Sequence, residues 1–536
     1  MLQRRLFSRC CSGRNNMACS YGRVYVTICV IAVVFVFLVG KYQNELSNIS
    51  SVRMDNLYSK YGVTIEDNVE ECESKSKQLP PDDKVKTMTI AGLASMYHRY
   101  LNNIQILCPH KPMYGGVVSG WQFCRMLNSW GAVYFISQDI HREVSENFLN
   151  ELSFEIHIDT GFIPSRYFRA IMKTMHGDDQ PSDTQTLFRV LLKPTNKSLL
   201  INAGRQWFDI VLWLESKKIL KNVDQLIVKF EGIGNASSHA DYVRELLLLS
   251  RLYDEGFRIF HLSREVDRSC WYNVDGNKVT GCYVVYMMRC QKHLPALTLP
   301  PASDVLTIPA IEAALLFHSY PFSAQVLCND VVRIGGIADG GWDVCNDTAY
   351  RPSSNCIVYS FGISEDWTFD EEVSRRYGCE VHSFDPSIGM DDHKHSEKVW
   401  FHNLGLYNYD GMLQTWKVMT FDSITKMLGH SNSILDYVKM DIELSEWPSL
   451  VQMMSTGVLK YVRQLAVEIH LETVNSGARY PMKLSVLSQL ATSGFQIFWA
   501  HPNQVIGNSR VIYNTKKVVT VCYEIYFLNT KLKRQQ

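Results

Sequence analysis

Carboxylates, a histidine and a bare glycine recur at the ends of short apolar runs in the second half of this sequence. Gly362 follows the run Ile357–Phe361, and Asp385 closes the next run, 23 residues past that glycine. A glycine after a strand lets backbone approach a ligand, a helix N-terminus beyond it offers free N–H donors, and an acid about 20 residues on can accept both hydroxyls of a ribose. Further along, Asp441 and Glu443 alternate at the end of Tyr437–Met440, with Glu446 a helical turn beyond. Acids there could hold a cofactor amine, accept a substrate hydroxyl or bind a metal, and they would equally cap the next helix. Gln464–His470 ends on Glu468 and His470. A strand-end histidine is commonly just hydrogen-bonded; beside so many acids it is also a candidate proton acceptor.

The elements that must position these groups follow from the same stretch. Ile357–Phe361 is apolar and β-branched, as a buried strand is. Trp367, Phe369, Val373 and Tyr377 mark an amphipathic helix, and Gly378 ends it as a C-cap does. Val381–Phe384 is the next strand. Strand, glycine turn, helix, strand and acid make half of a nucleotide-binding βαβ unit, and an ordinary crossover shares that pattern.

The chain repeats itself at a long period. TIAGLASMYHRYLNNIQILC from Thr89 falls opposite TIPAIEAALLFHSYPFSAQVLC from Thr307, so His98 matches His318. GGVVSGWQFC matches GGIADGGWDVC, LINAGRQW matches VKMDIELSEW, and GCYVVYMM matches VCYEIYFL, always in the same order. Ser137 stands against Gly362, Ile158–Asp159 falls one place from Phe384–Asp385, and Ile201–Arg205 stands against Lys439–Glu443. Scaffold residues persist in the first copy while strand-end polar residues are lost. Residues 89–292 are therefore expected to be a degenerate domain, 293–308 a linker, and 309–536 the domain that carries chemistry. The recurring pairs Cys108/Cys124 and Cys328/Cys345 are expected to form equivalent disulfides. Cys270 can bridge Cys282 around a turn, and Cys356 can reach Cys379.

Five arginines and no acid precede the apolar run 24–40. Its length favours a transmembrane anchor over a cleaved signal peptide. The basic flank places residues 1–23 in the cytoplasm and the rest in a lumen or outside, so the expected protein is single-pass, type II, in the Golgi or endoplasmic reticulum or at the cell surface. Residues 41–88 are polar and read as a stem. Sequons at Asn48, Asn196, Asn235 and Asn346 and eleven cysteines beyond the anchor suit an oxidising compartment. Eleven is odd, which leaves at least one thiol without an intramolecular mate. No Cys-x-x-Cys pair occurs, so a zinc site is not expected and no metal ligand is assigned. The 54 basic and 54 acidic residues balance, with no basic patch to mark a nucleic-acid partner.

KMDIELSEW, with VYSFGISED, EVHSFDPS, WFHNLGL, AVEIH and RIGGIADGGWDVC, resembles the methyltransferase-like type 22 domain. That group is related to the FkbM-type S-adenosylmethionine-dependent methyltransferases, whose signature is Lys-x-Asp-x-Glu-Gly-x-Glu. The resemblance covers about residues 320–530 and, in worn form, the first copy. It implies an α/β fold of two tandem Rossmann-like domains behind the anchor, and S-adenosylmethionine as cofactor. Phe361 and Gly362 would line the methionine end, Asp385 would hold the ribose, and Lys439, Asp441 and Glu443 would sit by the sulfonium and the acceptor. Where the signature has a small residue, this chain has Leu444. Asp441 or His470 would take the acceptor's proton. The expected reaction is O-methyl transfer to a glycan, a secreted protein or a small molecule. A pseudoenzyme that binds a partner is the alternative, and a luminal glycosyltransferase the third, with Asp441–Ile442–Glu443 a loose stand-in for its metal-binding Asp-x-Asp.

Overall fold

The computed structural model describes residues 60, 65–67, 78–114, 120–124, 132–137, 156–159, 197–274, 276–290, 295–471, 479–503, 509–512 and 517–534. The expected anchor, 24–40, and the sequons at Asn48 and Asn196 lie outside them. No helix among the described residues is long and apolar enough to cross a membrane.

Two sheets organise the chain. The amino sheet contains β1 (Ala132–Ser137), β2 (Ile156–Asp159), β3 (Lys197–Asn202), β4 (Gln225–Phe230), β5 (Phe257–Arg264) and β6 (Tyr283–Arg289), in the order β2-β1-β3-β4-β6-β5. A two-strand ribbon, β7 (Val331–Ile334) and β8 (Trp342–Cys345), leads into the carboxyl half. There, β9 (Ile357–Phe361), β10 (Glu380–Phe384), β11 (Val399–His402), β12 (Tyr437–Met440), β13 (Gln464–His470), β14 (Phe495–Pro502) and β15 (Cys522–Asn529) run in the order β11-β10-β9-β12-β13-β15-β14. A two-residue strand, His393–Lys394, adds an antiparallel edge beside β11. In both sheets the central strands are parallel and, apart from that edge, only the last-but-one position is filled by an antiparallel strand. This is the doubly wound arrangement in which ligands bind beyond the carboxyl ends of the parallel strands.

Local sequence explains the elements. β9, β10, β12 and β13 are almost wholly buried, as parallel strands covered on both faces must be. The helix Thr368–Tyr377 buries Phe369 and Val373 and stops where Gly378 turns left-handed at φ 76°.

The halves share buried devices as well as strand order. His98 bonds the hydroxyls of Tyr283 and Tyr272, at 2.7 and 2.5 Å; His318 bonds those of Tyr523 and Tyr480, at 2.8 and 3.0 Å. Gln225 clamps the backbone N–H and carbonyl of Cys124, and Gln464 does the same to Cys345. The Trp207 indole donates to the Glu231 carbonyl, and the Trp447 indole to the His470 carbonyl. All four disulfides expected from the sequence are present: Cys108–Cys124, Cys270–Cys282, Cys328–Cys345 and Cys356–Cys379.

Two boundaries differ from expectation. The expected stem contains the helix Asp82–Thr87, and Leu79 and Val85 are buried in the amino core, so the folded body starts about ten residues before Thr89. The expected linker contributes Pro295–Leu297, which pairs with Ile65–Asp67, and a short helix, Ala302–Val305.

Candidate active site

Gly362 follows β9 at φ 74°, a conformation that favours glycine. A Cβ there would lie 1.6 Å from the Asp441 carbonyl oxygen, so this turn and the end of β12 pack backbone to backbone. The Gly362 amide donates to the Phe384 carbonyl at 2.8 Å. The Asp385 carboxylate is almost fully buried and accepts from the Ser364 amide at 2.9 Å and from the Ser387 amide and hydroxyl at 2.8 and 2.6 Å. Gly362, Asp385 and Asp441 thus meet on one rim. With three of its roughly four lone-pair positions taken, Asp385 has room for one ribose hydroxyl rather than two.

Two expected contacts are placed differently. The Lys439 ammonium is turned beneath the glycine, donating to the Gly362 carbonyl, 5.2 Å from the centre of the Trp342 ring. The Phe361 ring is fully buried and stacks on Phe384 with centroids 4.6 Å apart, so only its backbone borders the rim. Period-two alternation makes the strand's last apolar side chain part of the core.

Beyond Asp441 the rim is acidic. His470 Nδ1 lies 2.8 Å from Glu446 Oε1, and its Nε2 lies 3.7 Å from Glu443 and 4.0 Å from Glu468. Burial alone would lower the imidazole pKa, but the hydrogen bond and charge of Glu446, with Glu468 and Glu443, raise it to about 9. Burial, then the Glu468 carboxylate, pushes Asp441 well above the ordinary range, and Lys439 and His470 offset this only in part. Glu443 is mostly exposed and, like Leu444, sits at positive φ, 48° and 73° respectively. Leu444 points outward, so its cost is conformational, and the signature's glycine marks a left-handed position.

Glu446 and Glu468, given no individual role in the sequence reading, join this site, and so does Cys522, which that reading did not single out. The antiparallel register sets Cys522 directly opposite His470, and its Sγ lies 2.5 Å from Glu468 Oε1. The signal for Cys522 was the odd cysteine count combined with its position at the start of the last strand.

The paired registers equate Leu226 with Leu465, and therefore Asn202 with Asp441, Lys229 with Glu468, Glu231 with His470 and Cys282 with Cys522. Asp159 then corresponds to Phe384, one place short of Asp385, and Asn202 replaces Ala203 as the counterpart of Asp441.

Residues 282–514 match the family model of the type 22 methyltransferase domain. This region belongs to that family. The type 22 domain so defined begins at the last strand of the amino sheet. The chain is 26% identical over 247 residues to "Probable methyltransferase-like protein 24" of Homo sapiens, and 27% identical over 245 residues to its namesake in Rattus norvegicus. Each match covers 41% of this chain and 66% of the relative, so the chain spans just under two thirds of those proteins. Among solved structures, a Haemonchus contortus phosphoethanolamine N-methyltransferase 2 in complex with S-adenosyl-L-methionine aligns over 69% of this chain and 80% of its own, at 9% identity and a TM-score of 0.21. So small an overlap carries no argument here, and the α/β assignment rests on the strand order and the family match.

Proposed function

We propose that the type 22 domain is an S-adenosylmethionine-dependent O-methyltransferase acting on a glycan or a secreted substrate. In this reading the chain is anchored through residues 24–40 and the domain is luminal. The observation that carries it is the convergence of Gly362, Asp385 and Asp441 on one rim at the ends of β9, β10 and β12.

Bound S-adenosylmethionine would supply an electrophilic methyl group. The protein's part in such a displacement is alignment and a place for the acceptor's proton. The Gly362 turn admits a ligand against bare backbone, and Asp385 fixes that turn while keeping one acceptor direction for a ribose hydroxyl. Asp441, on the same rim as Gly362 and Asp385, is the group placed to take the proton when it is ionised; burial and Glu468 raise its proton affinity. His470, held by Glu446, is a cation at neutral pH and orients rather than abstracts. We also read the amino half as a copy of the same unit kept for its fold. The matching strand order and the His–Tyr clamps support this, as do the neutral or reversed residues Asn202, Lys229 and Glu231 at the corresponding strand ends.

Thermal shift of the purified chain with S-adenosylhomocysteine tests the proposal. Stabilisation that Asp385→Ala abolishes and Asp159→Ala leaves intact is the expected result. Stabilisation by a nucleotide sugar with manganese alone would reject it in favour of a glycosyltransferase. The strained Leu444 favours a second reading, a pseudoenzyme. It would show as S-adenosylhomocysteine binding without transfer of a labelled methyl group to any secretory glycoprotein fraction.

A further inference from the structure

Three side chains at the junction of β13 and β15 have the chemistry and spacing of a metal site. Glu468, His470 and Cys522 each present a ligand atom, all within 4.8 Å of one another. Cys522 is the free cysteine among the described residues and is buried. Zinc binds thiolate at ~2.3 Å and imidazole or carboxylate at ~2.0–2.2 Å, which sets tetrahedral ligand atoms roughly 3.3–3.7 Å apart. The 4.0 Å between His470 Nε2 and Glu468 Oε1 is close to that, and the Cys522–Glu468 contact opens to it by about 1 Å.

The surroundings favour a cation there. His470 Nδ1 is turned to the Glu446 carboxylate, which leaves Nε2 facing Glu468. A carboxylate behind the far imidazole nitrogen is the arrangement that orients metal-bound histidines. Asn503 donates to Glu468 Oε1 at 2.8 Å and fixes that carboxylate in turn. Independently of these bonds, Glu446 is fully buried and its Oε2 has no hydrogen-bond partner. A buried carboxylate oxygen without a donor is costly unless positive charge lies near. The same carboxylate belongs to a second group, with Asp441 and His470, whose ligand atoms also lie within 4.8 Å. At the corresponding strand ends the amino half has Lys229, Glu231 and Cys282, the last held in a disulfide, and so lacks the set.

We propose that Glu468, His470 and Cys522 bind one divalent ion of the zinc class, with Glu446 orienting His470 and a fourth position open toward Asp441 and Glu443. The Cys522 thiol and the Nε2 of the His470 imidazolium each lose a proton to solvent as the bonds to the metal form. The proposed site departs from the sequence expectation of no metal: its ligands come from strands more than fifty residues apart, where a Cys-x-x-Cys search does not look. It stands independently of methyl transfer.

The full chain, stripped with chelator and titrated with Co2+, tests it. One Co2+ per chain is expected, with a near-ultraviolet thiolate-to-cobalt charge-transfer band that Zn2+ displaces. Cys522→Ser should lose the band, Glu468→Gln should weaken binding at least about tenfold, and Glu446→Gln should keep the band with about 10–100-fold weaker affinity. Absence of the band in the parent chain, or its survival in Cys522→Ser, overturns the proposal. Circular dichroism confirms that each variant is folded, and His470→Gln replaces any that is not. The S-adenosylhomocysteine shift is recorded on the same samples: a cobalt band without that shift leaves the metal site standing and rejects the methyltransferase reading, and the reverse rejects only the metal site.

Discussion

Leu444 and Gly362 show opposite answers to one backbone demand. Both sit in left-handed conformations, where a side chain costs about 1–2 kcal/mol. Leu444 bears that cost at the surface, so Leu444→Gly should stabilise the carboxyl half by about 0.5–1 kcal/mol after the extra unfolded-state entropy of glycine, read by urea denaturation. A loss of stability would show that the exposed side chain makes contacts the strain argument ignores. Gly362→Ala has no such latitude, because its Cβ would overlap the Asp441 carbonyl; destabilisation of about 3 kcal/mol and loss of S-adenosylhomocysteine binding are expected. At this scale the sequence revealed what is local. Gly362, Asp385 and Asp441 follow strands that their own apolar runs announce, and all three reach the rim. The direction of Lys439 was not readable, since a lysine at a strand end usually looks outward and this one finds a carbonyl underneath. Cys522 was hidden because only the pairing of β15 with β13 brings it to His470.

The elements are held by single polar side chains pinning irregular backbone. Gln464 is fully buried, accepts from the Cys345 amide and donates to the carbonyls of Cys345 and Tyr350 at 2.9 and 3.0 Å. Gln464→Leu strands those groups without water, at about 1–3 kcal/mol for each left unsatisfied. A loss of about 3 kcal/mol is expected by chemical denaturation, and a neutral result would mean that the ribbon β7–β8 relaxes toward solvent. Strand positions were readable at this scale: β9, β12 and β13 begin and end where their apolar runs do. The start of the body was not. The helix Asp82–Thr87 is four-sixths charged, and only Leu79 and Val85 betray that it docks on the amino core.

For the molecule as a whole, an ion cluster ties the two halves. Arg264 of β5 reaches across to Asp343 of β8 at 2.8 Å, and Asp343 also faces Arg333 at 3.2 Å and His501 at 3.6 Å. Asp343 is fully buried, so Arg264→Met, which removes one partner and leaves the charge, should cost about 3 kcal/mol and loosen the halves, seen as earlier proteolytic cleavage between them. Burial by itself would lower His501, yet Glu524 and Asp343 raise it to about 9. Burial would raise Glu524, yet His501 and Arg333 hold it at about 2. A folded pKa above the unfolded value of ~6.5 gives stability that is full below that pH and fades as pH climbs through about 9. A folded pKa below the unfolded value of ~4.3 gives stability present above that pH and lost on descent toward about 2. Melting temperature should therefore crest between about pH 4.5 and 6.5. His501→Gln should flatten part of the alkaline slope; an unchanged slope would show that His501 titrates normally. The parallels between the halves were readable because their landmarks are buried and keep their order; the ion cluster between the halves was not, because each member is an ordinary surface residue type. The strand order has one more effect, on biosynthesis. In each sheet the strand emerging last from the ribosome, β6 or β15, slots between two made earlier, so β5 and β14 wait with naked edges until it arrives. At a translation speed of about 5–20 residues per second that vulnerable interval lasts on the order of seconds, which makes nascent chains stalled inside either gap the natural clients of chaperones.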